Sequence, residues 1–418
     1  MNTFIKVISI YFIALLLSIN GLFAQTSNKI NWKEDLKIYK ASLEQKHIDL
    51  YHSVTKEEFV YEWNKIYNNV DSLNDFEIIL ELMRLTRRVN DGHTAVSLRN
   101  MATHRFPFEI EYIDKEWRVV KVIKEHKSLL KLSLMAIDDV PIEEVSMKVS
   151  QVTQFVENEY SETLRTSSYL TISELLYNLD ITKNRNTAQF TFLNENSKEI
   201  KVTLKALDKT AIDKGNFTEL NIGIPEIIKP DKPMFDYLWY TSIKNIKAIY
   251  INFESYPSFE DMQVFGEQLV SYIQENLMKQ VIIDMRNNGG GDLYVGTVLA
   301  YALNLADSID WKNGVFVLTS NKTFSAATSN AALFKQLLNA KIVGQPTGSN
   351  PTGYQDMDSF KLPNSKLVIT YSKRLFRLSE QENTALQPDV IINQKQNELF
   401  NSVDTVLKVL NNKMTEAP

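Results

Sequence analysis

The chain has 418 residues, of which 44% are hydrophobic and 23% charged, and this composition excludes global disorder and a fibrous structure. Its 46 basic and 51 acidic residues give a net charge of −5 without long runs of one sign, so we expect no nucleic-acid partner. The absence of cysteine excludes disulfide bonds, a thiol nucleophile and a cysteine-ligated zinc site.

The first 24 residues have the features of a secretory signal peptide. Lys6 precedes an apolar run over residues 7–17, and a polar stretch then leads to the small residue Ala24. This order predicts cleavage after Ala24 and export to the periplasm or the exterior. An uncleaved membrane anchor is the alternative, although the run is short for a bilayer. We expect membrane contact only through this segment.

Three helices are predicted in residues 25–100, which we interpret as an N-terminal helical domain. The pairs Thr55/Glu58 and Asn74/Glu77 have the spacing of capping boxes, which mark helix starts. The hydrophobic period then changes from that of a helix to that of a strand, so residues 101–206 are predicted to form a mainly β module.

The remaining chain is divided between a linker and an α/β domain. Residues 207–240 contain three prolines and no sustained period, which predicts a linker. Strands and helices alternate over residues 241–418, a pattern that predicts a mainly parallel sheet with right-handed crossovers. Ligands of such sheets bind at the carboxyl ends of the strands.

A run of three glycines, Gly289 to Gly291, follows one predicted strand of this sheet and precedes a helix. Consecutive glycines let backbone N–H groups face one concavity, which suits an anion or an oxyanion. Phosphate is disfavoured because neither a Gly-Lys-Ser/Thr nor a G-x-G-x-x-G pattern is present. A simple strand-to-helix turn remains the alternative.

Ser325 lies in the motif Thr-Phe-Ser-Ala-Ala at 323–327, at the first turn of another predicted helix. There its hydroxyl would be close to free helix N–H groups, where developing negative charge is stabilised. Ser325 is therefore a candidate nucleophile, and an ordinary helix N-cap is the alternative. The functional interpretation is favoured because this strand end and the glycine loop meet at one edge of the sheet.

A nucleophilic serine needs a base, and none of the five histidines falls in the α/β domain. His93 lies in the tight turn Asp-Gly-His-Thr at 91–94, whereas His47 and His52 are expected to cap or follow a helix. No histidine pair has the spacing of a metal site, so we expect neither a metal nor a cofactor. Glu380 and Glu382 are candidates to orient a catalytic histidine, with a solvated acidic loop as the alternative.

Together these motifs resemble the carboxyl-terminal processing (tail-specific) and tricorn-core-like serine peptidases. The similarity also includes Val-Gly-Gln-Pro-Thr-Gly at 343–348 and Pro-Asp-Val at 388–390, and it extends in order over about 300 residues. It implies a crotonase/ClpP-like α/β catalytic fold and a PDZ-like module around residues 108–145. It further implies a polypeptide substrate, and a homo-oligomer is left open.

By this resemblance Ser325 is the nucleophile, and the N–H groups of Ala326 and of Gly289 or Gly290 form the oxyanion hole. Members with a Ser-Lys dyad carry a lysine in the loop that here contains Asn350. The tricorn-like and chlamydial-type members instead use an N-terminal histidine and a late glutamate.

The resemblance therefore implies a triad of Ser325, His93 and Glu382, with Glu380 as the fallback for the third member. Gln345 replaces a glutamate that is usual in the family. A catalytically weak or inactive protein that binds peptides or hydrophobic ligands on the same scaffold is the main alternative. Acyl-CoA chemistry of the crotonase type is disfavoured by the signal peptide.

Overall fold

The structure is a computed structural model that describes residues 29–380 and 384–416. The predicted signal peptide and Glu382 therefore lie outside the described residues. Within the described part, no helix combines the length and the apolar character needed to cross a membrane.

Three helices open the described chain, as predicted. They are α1 (Trp32–Lys46), α2 (Lys56–Asn69) and α3 (Asp75–Arg87). Both predicted capping boxes are confirmed, because Thr55 and Asn74 accept from the third helical N–H while Glu58 and Glu77 bond back to them.

The predicted β module is an antiparallel sheet that carries three short helices. Its strands on the main path are β2 (Phe108–Ile113), β3 (Glu116–Ile123), β4 (Ser133–Ile137), β6 (Thr187–Leu193) and β7 (Glu199–Lys205), while β5 (Val140–Pro141) pairs with β4. The helices are α4 (Ile142–Ser150), α5 (Glu159–Tyr169) and α6 (Ser173–Asn178). Asp114 and Lys115, both with positive φ, form the turn between β2 and β3.

The stretch 207–240, which we predicted to be a linker, contains regular secondary structure. It contains a helix, α7 (Lys209–Lys214), and a strand, β8 (Phe217–Glu219), which pairs with β3. The next strand, β9 (Leu238–Ser242), already belongs to the large α/β sheet, where it lies antiparallel to its neighbour. The position of β9 in the sheet depends on its pairing with this neighbouring strand. A local sequence pattern does not encode such pairing.

The α/β region forms a six-stranded sheet in the order β16-β13-β12-β11-β10-β9, parallel except for β9. The parallel strands are β10 (Ala248–Phe253), β11 (Gln280–Asp284), β12 (Val315–Thr319), β13 (Lys341–Gly344) and β16 (Val390–Ile391). The helices are α8 (Phe259–Glu275), α9 (Leu293–Leu303), α10 (Ala326–Leu337), α11 (Gln396–Phe400) and α12 (Thr405–Glu416). This confirms the predicted mainly parallel α/β sheet.

A hairpin from the α/β region joins the two halves of the molecule. Its strands, β14 (Thr352–Lys361) and β15 (Val368–Arg377), form a separate sheet with β1 (Ala95–Ser97) from the N-terminal half. Buried residues of this hairpin share one hydrophobic core with the N-terminal helices and the β module. Residues that follow α3 are therefore held against the ends of the α/β strands.

Candidate active site

Ser325 has a backbone conformation that is costly for any residue except glycine. It lies directly before α10 with φ 56° and ψ −129°. Its side chain makes no helix-capping hydrogen bond. The ordinary N-cap role that we held as an alternative is therefore not the role of this serine. A strained serine that presents its hydroxyl ahead of a helix is the arrangement of a nucleophile elbow.

The hydroxyl of Ser325 is instead directed to His93, whose Nε2 lies 2.9 Å from Ser325 Oγ. His93 is buried, and it comes from the turn between α3 and β1, 232 positions earlier in the sequence. The Phe324 ring lies beside the imidazole with the ring centroids 5.3 Å apart. The structure thus brings a serine and a histidine into the geometry of nucleophile and base.

Burial lowers the pKa of His93 below its usual value, while the charge of Asp91 and a backbone interaction with Tyr354 act in the opposite direction. A lowered pKa keeps the imidazole neutral at neutral pH. A neutral imidazole can accept the Ser325 proton at Nε2. Nδ1 of His93 is buried, and no side chain among the described residues forms a hydrogen bond with it.

Asp91 fixes the turn that carries His93. Its buried carboxylate accepts from the backbone N–H groups of His93 and Thr94, from the Thr94 hydroxyl and from Ser372 Oγ, at 2.7–3.0 Å. Burial acts to raise the pKa of Asp91, but hydrogen bonds, first that from His47, outweigh it and lower the pKa to about 2. Sequence reasoning named this turn but did not identify Asp91 as its organising residue.

His47, His52 and Asp91 lie close enough together to resemble a metal site, since one ligand atom from each falls within 4.8 Å of the others. However, His47 Nδ1 accepts the N–H of Asp49 at 2.9 Å, so the proton of this neutral ring must be on Nε2. That proton is donated to Asp91 at 2.7 Å. A metal would need the same nitrogen without its proton, so the hydrogen bonding favours a structural role.

The glycine loop approaches the nucleophile closely. The N–H of Gly290 donates to Asn288 Oδ1, and a Cβ added to Gly290 would lie 2.7 Å from Ser325 Cβ. Within the described residues, the N–H groups of Gly289 and Ala326 have no hydrogen-bond partner. Of the two glycines that we expected to contribute, Gly289 therefore has a backbone N–H free to donate, as does Ala326.

The side chain of Arg286 is not available to an anion in this loop. Its guanidinium is paired with Asp284 at 2.6 Å and with Asp404 at 2.8 Å. Two carboxylates thus neutralise the one basic side chain of the loop. This agrees with the sequence argument against phosphate.

Ser349 and Asn350 occupy the loop where Ser-Lys members of the resembling family carry a lysine. Ser349 Oγ accepts the N–H of Ser325 at 2.7 Å, and buried Asn350 accepts from Asn158 Nδ2 at 3.0 Å. The loop therefore supports the backbone of the nucleophile and supplies no base. Gln345 donates to Asn393.

The third member of the expected triad is not seen at His93. Glu380 is exposed and makes no hydrogen bond to His93. Glu382 lies outside the described residues.

Glu157 is a residue near the site that sequence reasoning missed. Its Oε2 is buried without a hydrogen-bond partner, and a Cβ added to Gly92 would lie 2.8 Å from that oxygen. Burial raises the pKa of Glu157 well above its usual value, and the charge of Asp91 adds to this, while a backbone hydrogen bond from Asn350 opposes it. The surroundings of Glu157 therefore favour its neutral form. No local sequence pattern around Glu157 predicts that its carboxyl is buried near the site.

Comparison with known proteins gives an independent result. Residues 300–392, which include Ser325, match the model of peptidase family S41. No curated protein sequence matches the chain. This match supports the resemblance drawn from the motifs, and it supports a serine-type peptidase.

Comparison with solved structures bears on the fold of the chain. Mature CPAF complexed with lactacystin is similar at a TM-score of 0.66 and 12% identity, over 92% of this chain and 97% of that one. The photosystem II D1 C-terminal processing protease has a TM-score of 0.44 at 11% identity, over 87% and 93% of the two chains. At such low identity the likeness to CPAF shows a shared fold alone, and it extends over nearly the whole length of both chains.

Proposed function

We propose that this serine-type peptidase is an exported endopeptidase that cleaves polypeptides through an acyl-enzyme on Ser325, with His93 as general base. The observation that carries the proposal is the 2.9 Å contact between His93 Nε2 and Ser325 Oγ, made by a serine in a strained conformation. Export is proposed from the signal peptide pattern of residues 1–24.

In the first step neutral His93 accepts the Ser325 proton at Nε2 while Oγ attacks the peptide carbonyl carbon. The carbonyl oxygen becomes an oxyanion, which the N–H groups of Gly289 and Ala326 stabilise by about 3–4 kcal/mol each. His93 then donates its proton to the leaving amine. Water attacks the acyl-enzyme, again with His93 as base, and releases Ser325.

We further propose that Glu382 orients the imidazole by accepting from Nδ1. The proposal is supported by the resemblance and by the buried Nδ1 atom, which lacks a side-chain partner among the described residues. Glu380 is the fallback, although its side chain is exposed.

The test uses mature protein and a fluorophosphonate, which labels activated serines, together with cleavage of casein. We expect wild type to label and cleave, Ser325→Ala and His93→Ala to lose both, and Glu382→Gln to lose cleavage partly. Glu380→Gln is the matched control for the third member. Folded wild-type protein that neither labels nor cleaves would contradict an active enzyme and favour a peptide-binding or ligand-binding role.

Export has its own test. The N-terminus of protein recovered from the extracytoplasmic fraction should be Gln25. A full-length chain in the cytosol would contradict the proposal of export.

A further inference from the structure

Arg165 is an arginine that has no acidic partner close to the candidate active site. It lies on α5, its Nε is buried without a hydrogen-bond partner, and no carboxylate pairs with it within the described residues. Arg87, a half-buried arginine on the neighbouring α3, is by contrast paired with Glu162 of the same α5. A partly desolvated guanidinium without a counter-ion is costly, so its retention calls for an explanation.

The position of Arg165 relates it to the nucleophile. Its Cζ lies 5.2 Å from the centroid of the Phe324 ring, which is in turn 5.3 Å from the centroid of the His93 imidazole. Phe324 directly precedes Ser325. One aromatic ring therefore separates the guanidinium from the catalytic pair.

Among the described residues, the charges that act on Arg165 include that of another arginine and no carboxylate. The charge of Arg99 acts on Arg165, and the one group nearby that acts in the opposite sense is the phenol of Tyr169. Arg99 is exposed and forms no ion pair within the described chain; its guanidinium lies over the Phe155 ring. Two unpaired arginines thus lie beside this site in a protein whose net charge is −5.

We propose that Arg165, supported by Arg99, forms a subsite that binds a carboxylate of the peptide substrate close to the scissile bond. The proposal rests on the endopeptidase function above and names a substrate class for it. A guanidinium donates two parallel hydrogen bonds to a carboxylate, which gives both affinity and orientation. An extended peptide spans about 3.3–3.6 Å per residue, so the carboxylate lies within about three residues of the cleaved bond.

The experiment compares fluorogenic peptides that differ only by Glu or Gln at one of three positions on either side of the cleaved bond. Each peptide is made with a free and with an amidated C-terminus. We expect one carboxylate to raise kcat/KM about 10-fold or more, mainly through KM, because charge-assisted hydrogen bonds are the strong ones. A preference for an internal Glu shows that the bound carboxylate belongs to a side chain. A preference for the free C-terminus shows that it is the terminal carboxylate.

Substitutions of Arg165 test whether this residue causes the preference for the acidic peptide. In Arg165→Gln the ratio of kcat/KM between the acidic and the neutral peptide should fall to about one. In Arg165→Lys this ratio should be intermediate, because lysine keeps the charge but lacks the paired N–H donors of a guanidinium. Arg87→Gln is the matched control and should keep the wild-type ratio. An equal rate for acidic and neutral peptides in wild type, or an unchanged ratio in Arg165→Gln, overturns the proposal.

A binding measurement distinguishes a failure of the subsite proposal from a failure of the endopeptidase proposal. Fluorescence anisotropy with Ser325→Ala measures peptide binding without turnover. We expect the acidic peptide to bind about 10-fold more tightly than the neutral one, and the difference to vanish when Arg165→Gln is added. Such binding by a protein whose wild type cleaves nothing would refute the peptidase proposal and keep the subsite. Equal binding of both peptides would refute the subsite.

Discussion

The Ser349 hydroxyl accepts the backbone N–H of Ser325 at 2.7 Å, and it lies 2.9 Å from the hydroxyl of Thr328 on the following helix. Ser349 is fully buried. One side chain from the loop after β13 therefore holds the N–H of the nucleophile residue, whose φ of 56° stores backbone strain. This N–H is therefore not free for an oxyanion, which agrees with the proposal that Gly289 and Ala326 supply the donors.

Removal of this contact is expected to lower catalysis more than substrate binding. Ser349→Ala leaves the Ser325 N–H buried without an acceptor, at a cost of about 1–3 kcal/mol. We expect kcat to fall about 10-fold with KM nearly unchanged, because the nucleophile loses its alignment. Ser133→Ala, which changes a buried serine in the antiparallel sheet, is the control and should keep kcat. Equal kcat in both variants would refute a positioning role for Ser349.

The two glycines of the loop are expected to respond differently to alanine. Gly290 has φ +105°, and its added Cβ would lie 2.7 Å from Ser325 Cβ, whereas a Cβ on Gly289 meets no atom within 4 Å. Gly290→Ala should therefore abolish fluorophosphonate labelling, and Gly289→Ala should retain most of it, because its backbone N–H is kept. Circular dichroism checks that both variants fold. Equal labelling of the two variants would contradict this geometry.

Much of the fold could be predicted because its signals are local. Capping boxes, alternating strands and the buried apolar strands of the α/β sheet each depend on residues close together in sequence. Ser325 and His93, which the structure brings within 2.9 Å of each other, could be proposed together because a serine at a helix start and a histidine in a constrained turn have local patterns. The positions of Glu157, His47 and Arg165 near the site could not be predicted, because they depend on neighbours that are distant in the sequence. The ordered segment within 207–240 was missed for the same reason.

Asp91 is expected to be essential to the turn that presents His93. Asp91→Asn replaces one accepting oxygen by an amino group that faces donors, so several charge-assisted hydrogen bonds are lost. We expect a loss of about 3 kcal/mol in the free energy of unfolding, measured with urea at pH 7, together with loss of activity. Because the pKa of Asp91 is lowered to about 2, its contribution is present above pH 3.8 and disappears as the pH falls towards 2. The two proteins should therefore converge in stability at low pH, and a constant difference would contradict this assignment.

Glu157 is expected to give stability a pH dependence opposite to that given by Asp91. Its pKa is raised in the folded state, so above the ordinary glutamate value of 4.5 the unfolded chain releases a proton that the folded chain keeps. Wild type therefore loses stability as the pH rises through this window, by up to about 1.4 kcal/mol per pH unit. Glu157→Gln imitates the neutral carboxyl and should become progressively more stable than wild type above pH 4.5. Glu159→Gln, an exposed neighbour, is the control. A difference independent of pH would show that Glu157 is ionised in the fold.

The pH dependence of cleavage is expected to report on His93. Because burial lowers its pKa, the acidic limb of kcat/KM for an uncharged peptide should have its midpoint below pH 6.5. The positive charge of Arg165 also lowers this pKa, so Arg165→Gln should move the midpoint to higher pH, while Arg87→Gln should leave it in place. The same shift makes the unfolded chain the better proton acceptor, so the contribution of His93 to stability is complete above pH 6.5 and declines as the pH falls below it. A midpoint at or above 6.5 in wild type, or one that does not move in Arg165→Gln, would contradict the electrostatic link between Arg165 and the base.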